Sequence, residues 1–166
     1  MTPAEAAALE AGLQARFGVL ELAPMTVDEV DAVVAIENAV YSHPWTRGNF
    51  LDSLYSGYQA YTLRDGQGSL LGYFLVMQAV DEAHLLNISV AQAHQHQGLG
   101  RLLLWRAGIV ARQLGMQRML LEVRESNGHA FKVYQRYGFT EIGRRKNYYP
   151  AVNNAREGAI VMSLPL

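Results

Sequence analysis

The stretch Gln95-His-Gln-Gly-Leu-Gly100 decides how this sequence is interpreted. It follows an apolar run typical of a strand, His84–Val90, and precedes a segment whose apolar residues recur at helical spacing. Gly98 and Gly100 let the backbone approach a ligand closely, and the free N–H groups in the first turn of a helix favour an anion such as a pyrophosphate. The stretch therefore predicts a phosphate-binding turn, although glycines between a strand and a helix can also form a mere connection.

Two other phosphate-binding motifs are excluded by the residues around this turn. The dinucleotide-binding fingerprint requires a third glycine, but Leu103 stands three residues after Gly100. The P-loop requires Gly-Lys-Ser/Thr, but Gly100 is followed by Arg101.

The composition is that of a single globular domain. The chain has 166 residues, of which 50% are hydrophobic and 17% charged, and its net charge is −1. Without a basic excess, we expect no direct nucleic-acid binding. The absence of cysteine excludes a thiol nucleophile and a cysteine-ligated zinc. The pattern of a secretory leader and apolar runs of about 18 residues are both missing, so we expect a cytoplasmic protein with no membrane partner.

Hydrophobic spacing and turn residues predict the order β-α-α-β-β-β-α-β-α-β-β, a mixed sheet covered by helices. Helices are expected after the capping box Thr26-x-x-Glu29, after Thr46, from the glycine turn to Gly115, and from Ser126-Asn127 to Tyr137. The predicted strands are 19–23, 58–63, 70–78, 84–90, 119–123, one that begins at 139, and 159–164. Residues 1–17 are expected to form a short helix or a frayed extension without a function, and residues 18–166 a single domain.

The turn also matches the acetyl-CoA signature of the GNAT superfamily, Gln/Arg-x-x-Gly-x-Gly/Ala. Further motifs stand in the order of one branch of that superfamily: 44–45 (Pro-Trp), 87–90, 120–127, 134–139, 147–150 and 156–165. Over residues 25–166 the chain resembles the RimI family, bacterial enzymes that acetylate the N-terminal alanine of the eighteenth small-subunit ribosomal protein. It departs from that family at Ala91-Gln92, where Asp-Pro is usual, and at His96, where arginine is usual.

The resemblance implies a fold and a function. The fold is α/β: a mixed, mostly antiparallel, seven-stranded sheet that holds acetyl-CoA between diverging central strands. The function is acetyl transfer to the α-amine of a protein, in particular that ribosomal protein, by direct attack in a ternary complex. A GNAT enzyme for another amine, such as a polyamine, an aminoglycoside or a lysine side chain, remains an alternative. A second alternative is an acetyl-CoA sensor without turnover, against which the presence of two proton-transfer candidates argues.

The two proton-transfer candidates are Glu122 and Tyr134. Glu122 interrupts an apolar strand, where a charge is costly unless it lies at a cleft or is paired, but it could also be an outward-facing strand residue. Tyr134 carries a phenol that could protonate a leaving thiolate, but it could also belong to an aromatic helix stripe. In the resemblance, Glu122 falls on the general base and Tyr134 on the general acid.

The remaining site residues follow from the same resemblance. The backbone N–H near Val90 should polarise the thioester carbonyl. Asn127 is expected at the coenzyme, although capping a helix would explain it alone. The expected coenzyme-binding residues are Ile88, Ser89, Val90, Gln95, His96, Gln97, Gly98, Leu99, Gly100, Arg101 and Asn127. The expected acceptor-side residues, each of which could be a core or rim aromatic, are Trp45, Tyr148 and Tyr149.

Two further patterns are interpreted as having no ligand. The histidines at 84, 94, 96 and 129 lack the accompanying acidic residues of a metal site, so no metal is predicted. The basic run Arg144–Lys146 is more typical of a solvated strand end than of a nucleic-acid patch.

Overall fold

The computed structural model describes all 166 residues, Met1–Leu166. The helices are α1 (Pro3–Phe17), α2 (Val30–Val40), α3 (Arg47–Tyr55), α4 (Leu99–Gln113) and α5 (Gly128–Tyr137). The strands are β1 (Glu21–Pro24), β2 (Gln59–Arg64), β3 (Leu70–Ala79), β4 (Glu82–Val90), β5 (Arg118–Arg124), β6 (Thr140–Pro150) and β7 (Arg156–Pro165). From β1 onward this is the order that the sequence predicts. No helix has the length and apolar character needed to cross a membrane.

The strands form one seven-stranded sheet in the order β1-β2-β3-β4-β5-β7-β6. All neighbouring pairs are antiparallel except β4 and β5, which are parallel. This mixed, mostly antiparallel sheet confirms the predicted fold class. The parallel pair lies in the middle of the sheet, where α4 makes the crossover connection between its strands.

Two hydrophobic clusters lie on the two faces of the sheet. Phe74 belongs to the larger cluster, whereas its neighbours Tyr73 and Leu75 belong to the smaller one. Adjacent strand residues point to opposite faces, so the clusters are separated by the sheet. The larger cluster includes Leu13 of α1 and the buried face of α4, and the smaller one includes apolar residues of α2 and α3.

The N-terminal segment is a complete helix rather than a frayed one. A capping box between Thr2 and Glu5 begins α1, and Gly18 ends it with a φ of 72°. Ala6 and Leu13 are 3% and 1% exposed, so the helix is packed against the rest of the domain.

Among the boundaries that differ from those expected, two change how a segment is interpreted. The capping box at Thr26 first starts a 3₁₀ turn, Val27–Glu29, and α2 begins at Val30. Strand β6 extends to Pro150, so the basic run Arg144–Lys146 lies inside an edge strand and not at a strand end. A register shift between Arg145 and Tyr149 lets β6 continue its pairing with β7 past the irregular residues.

Candidate active site

The central feature of the site is a gap between β4 and β5. The two strands pair only where Glu82–His84 runs beside Arg118–Leu120, and beyond that point they diverge. The gap opens into a cleft of about 790 Å³ that is bounded by β4, the Gln95–Gly100 turn and α5. Of the expected coenzyme-binding residues, the cleft is lined by Ile88, Ser89, Val90, Gln95, His96, Gly98, Gly100, Arg101 and Asn127.

The backbone of β4 presents hydrogen-bonding groups to this gap. The N–H of Ala91 donates to Leu71 on β3, at 2.8 Å. Amides alternate in direction along an antiparallel strand, so the N–H of Val90 points away from β3 and into the gap. The carbonyl of Val90 accepts a hydrogen bond from the Gln95 side chain at 3.1 Å. The amide is thus available where the sequence places the donor to a thioester carbonyl.

Two polar side chains, Tyr41 and Ser89, lie near this amide in the wall of the cleft. Tyr41 donates its hydroxyl to the carbonyl of Ile88 at 2.6 Å, in place of a strand partner. Ser89 is 5% exposed, and its hydroxyl has no hydrogen-bond partner within the chain. A buried polar atom without a partner is costly, and the phenols of Tyr41 and Tyr73 are the groups that lie beside the Ser89 hydroxyl.

The predicted phosphate-binding turn has the conformation that its glycines allow. Gly98 is the N-cap of α4 with a φ of 101°, and His96 has a φ of 61°. The first helical hydrogen bond runs from the N–H of Leu102 to the carbonyl of Gly98, at 3.1 Å. The amides of residues 99–101 therefore have no acceptor within the helix and can bind an anion at the cleft.

Tyr134 lies on α5 in the wall of the cleft. Burial raises the pKa of its phenol above the ordinary range, and the nearby hydroxyls of Tyr41 and Tyr149 raise it further. The phenol is consequently protonated at neutral pH, as an acid that waits for a leaving thiolate must be.

Glu122 lies on β5, outside the residues that line the cleft. Its Oε1 atom is 3.1 Å from Nε of Arg145, and its side chain is 22% exposed. The hydroxyl of Tyr148 faces the same carboxylate, which raises the pKa of Tyr148. Glu122 is therefore a paired and partly shielded carboxylate on a central strand of the sheet, not a freely solvated one.

Tyr149 is influenced by Glu122 and itself influences Tyr134. Burial, followed by the negative charge of Glu122, raises the pKa of Tyr149 to about 12. Tyr149 in turn raises the pKa of Tyr134. The guanidinium of Arg124 lies over the ring of Tyr149, 4.4 Å from the ring centroid. The half-buried Tyr149 thus interacts electrostatically with both proton-transfer candidates.

Several expected site residues lie elsewhere or have a second role. The ring of Trp45 packs on Phe50 at a centroid distance of 5.2 Å and does not line the cleft. Leu99 is a core residue that is 1% exposed, and Gln97 is turned toward α1. Asn127 both lines the cleft and caps α5, where its side chain accepts from the N–H of Ala130 at 3.2 Å.

Sequence reasoning missed a buried carboxylate behind the cleft. Glu37 of α2 is 2% exposed and accepts hydrogen bonds from the Tyr73 hydroxyl at 2.6 Å and the Asn87 amide at 2.9 Å. It also accepts from the backbone N–H of Trp45 at 2.9 Å. The available signal was a glutamate on the same helix stripe as the apolar Val30 and Val33.

The histidines do not form a metal site with acidic neighbours. No group of three or more potential ligands comes together anywhere in the structure. The rings of His96 and His129 meet across the cleft at a centroid distance of 5.4 Å.

Known proteins share both the sequence pattern and the fold. The pattern of the Acetyltransferase (GNAT) family matches residues 30–139, which is more than half of the chain. The chain belongs to the GNAT acetyltransferase family. It is therefore an N-acetyltransferase that uses acetyl-CoA as its co-substrate.

Among curated relatives, the [ribosomal protein bS18]-alanine N-acetyltransferase of Escherichia coli is 33% identical over 145 residues, which cover 87% of this chain and 97% of the relative. The protein of the same name from Haemophilus ducreyi is 36% identical over 133 residues, covering 79% and 90% of the two chains. The crystal structure of the Escherichia coli alanine N-acetyltransferase superposes with a TM-score of 0.79 at 32% identity, covering 89% of this GNAT enzyme and 94% of that chain. The chain is thus similar to these enzymes over nearly their whole length.

Proposed function

We propose that this GNAT enzyme acetylates the N-terminal α-amine of a protein, and that its acceptor is the N-terminal alanine of ribosomal protein bS18. The observation that carries the proposal is the similarity to enzymes of that name over nearly their whole length. The aromatic pair Tyr148 and Tyr149 beside Glu122 belongs to one of the motifs on which the resemblance depends.

Acetyl-CoA supplies the acetyl group as a thioester: as the amine nitrogen bonds to the carbonyl carbon, the carbon–sulfur bond breaks. The residues at the cleft fit such a ligand. Free amides at the start of α4 suit its pyrophosphate, and the amide of Val90 suits its carbonyl oxygen. Ser89, next to Val90 on β4, also lines the cleft.

Glu122 and Tyr134 divide the proton transfers between them. An N-terminal amine has a pKa of about 8, so a carboxylate need not be a strong base to remove its proton. Glu122, whose Oε1 atom is paired with Arg145, accepts that proton directly or through water. Tyr134 donates its proton to the departing sulfur. The second proton that the nitrogen loses as the amide forms returns to Tyr134 through solvent, and the proton taken by Glu122 passes to solvent.

A panel of acceptors tests the proposal. Purified enzyme and acetyl-CoA are incubated with a peptide that carries the N-terminal sequence of bS18, the same peptide with a blocked α-amine, spermidine, and an aminoglycoside. Mass spectrometry should show one acetyl group on the α-amine of the free peptide and none on the blocked one. If kcat/KM for spermidine or the aminoglycoside were higher than that for the free peptide, the proposed acceptor would be wrong. Thiol release with none of the acceptors would support the non-catalytic sensor instead.

A further inference from the structure

Helix α1, which lies outside the family's matched residues, is fastened to the domain beside the coenzyme cleft. Its Leu13 is part of the main hydrophobic cluster. Both carboxylate oxygens of Glu10 accept hydrogen bonds from Nη2 of Arg106 on α4, at 2.6 and 2.7 Å. The first residues of the helix reach the cleft itself, where Met1 and Glu5 are among the lining residues.

The same helix contacts the phosphate-binding turn from behind. The Arg16 guanidinium donates to the carbonyl of Gln97 at 3.0 Å and to its side-chain oxygen at 3.3 Å. Leu9 lies so close to Gly98 that a Cβ atom there would be 3.0 Å from its Cδ1. The ring of Phe17 meets His94 edge-on at a centroid distance of 5.4 Å.

These contacts fall on a turn that needs external support. His96 and Gly98 both have positive φ angles, and the former carries a side chain that such a conformation disfavours. Backbone in sparsely populated regions persists only where its surroundings hold it. The only groups that hydrogen-bond to Gln97, the residue between the two, come from Arg16.

We propose that α1 positions the turn for binding of the coenzyme pyrophosphate, with Arg16 as the positioning residue. The inference rests on the role proposed for the turn. All peptide bonds are trans, so the carbonyl of Gln97 and the N–H of Gly98 point in opposite directions. By holding the carbonyl on the α1 side, Arg16 directs the Gly98 amide away from α1. The Gly98 amide then joins the free amides of residues 99–101 as a donor to the anion.

The proposal distinguishes between acyl donors. Acetyl-CoA carries the pyrophosphate, whereas acetyl-pantetheine has the same thioester and no pyrophosphate or nucleotide. A residue that orients the turn should matter for the first donor and not for the second. A residue that merely stabilises the fold should affect both donors alike.

The experiment compares three variants of the full chain. Arg16→Met removes the hydrogen bonds to Gln97. Leu9→Ala removes an apolar contact with Gly98. Glu10→Gln weakens the attachment of α1 to Arg106, away from the turn. Thermal melts establish that each variant is folded, and kcat and KM are measured with both donors. A hydrogen bond of ordinary strength corresponds to about a 3- to 10-fold change.

We expect Arg16→Met to raise KM for acetyl-CoA by that factor with kcat unchanged, and to leave kcat/KM for acetyl-pantetheine unchanged. Leu9→Ala should shift KM in the same direction, which shows that the charge of Arg16 is not the cause. Glu10→Gln should have little effect. The proposal would be overturned if Arg16→Met left KM for acetyl-CoA unchanged, or lowered kcat/KM equally with both donors. It would also be overturned if Glu10→Gln lost as much as Arg16→Met, or if Leu9→Ala did not share the effect of Arg16→Met. The acceptor panel is read separately, so failure here leaves the proposed function standing.

Discussion

At the scale of single residues, the pairing of Glu122 with Arg145 makes its role as a base testable. Glu122→Gln keeps the size and hydrogen bonding of the side chain but cannot accept the proton of the amine. Turnover should fall by roughly 10²–10⁴ at neutral pH, and much of it should return toward about pH 9–10, where more of the amine is already neutral. The measurement is a pH–rate profile with saturating acetyl-CoA.

Glu125→Gln serves as the matched control, because Glu125 is also a carboxylate paired with an arginine, Arg144, at 3.4 Å. It should retain the activity of the unmodified enzyme. Normal turnover of Glu122→Gln at neutral pH would reduce Glu122 to one half of a structural ion pair.

Tyr134→Phe should show a different dependence on pH. The departing thiolate loses its proton donor in this variant. Because that defect does not depend on the protonation state of the amine, the rate should stay low toward about pH 9–10. Because burial raises the pKa of Tyr134, the unmodified enzyme should show no decline in kcat from phenol ionisation below about pH 10. Recovery of Tyr134→Phe at high pH, parallel to that of Glu122→Gln, would contradict the assignment of Tyr134 as the acid.

At the scale of elements, the first turn of α4 offers a clean test of the phosphate site. A Cβ on Gly100 would meet nothing closer than Val90 at 4.0 Å. A Cβ on Gly98 would lie 3.0 Å from Leu9, and Gly98 has a φ that side chains disfavour. Gly100→Val should therefore weaken acetyl-CoA binding by about tenfold or more, while stability changes by less than about 1 kcal/mol. Titration calorimetry measures the affinity.

The control for this change is Gly48→Val, the same substitution at the second residue of α3, where a Cβ has only ordinary contacts. It should match Gly100→Val in stability and leave coenzyme affinity unaltered. Equal affinities in the two variants would remove the turn from the coenzyme site.

The buried carboxylate of α2 predicts a stability effect at the same scale. Glu37→Ala leaves three donors, on Tyr73, Asn87 and Trp45, without an acceptor. At about 1–3 kcal/mol for each unsatisfied group, the free energy of unfolding should fall by about 3 kcal/mol or more. Glu37→Gln retains one acceptor oxygen and should lose less. Urea denaturation that ranks the two variants equally would show that Glu37 does not hold these elements together.

The sequence predicted the elements better than it predicted their partners. Capping boxes, glycine stops and apolar periodicity are local signals, so the order from β1 to β7 was recovered. The bulged continuation of β6 depends on pairing with β7, which no local pattern encodes. For the same reason neither the packing of Trp45 on Phe50 nor the three donors of Glu37 could be predicted before the sheet had brought distant residues together.

At the scale of the whole molecule, one sheet with a cluster on each face should unfold as one unit. The coenzyme cleft exists only when β4, α4 and α5 are assembled, so acetyl-CoA binds the folded state alone. At a concentration about 100 times its Kd, acetyl-CoA should raise the free energy of unfolding by about 2.7 kcal/mol. A thermal melt should show a single transition, with a Tm that is higher in the presence of acetyl-CoA. Two transitions would contradict unfolding as one unit.

The docking of α1 also constrains how the chain is made. Its ion pair and hydrogen bonds join residues that are 81 and 96 positions apart, so the helix leaves the ribosome long before its partners in α4 are synthesised. An isolated helix of this length is marginal in water. Helix α1 therefore gains these contacts only after residues 97–106 have been synthesised, and the exchange of its amides with solvent should fall only after the α4 segment has emerged.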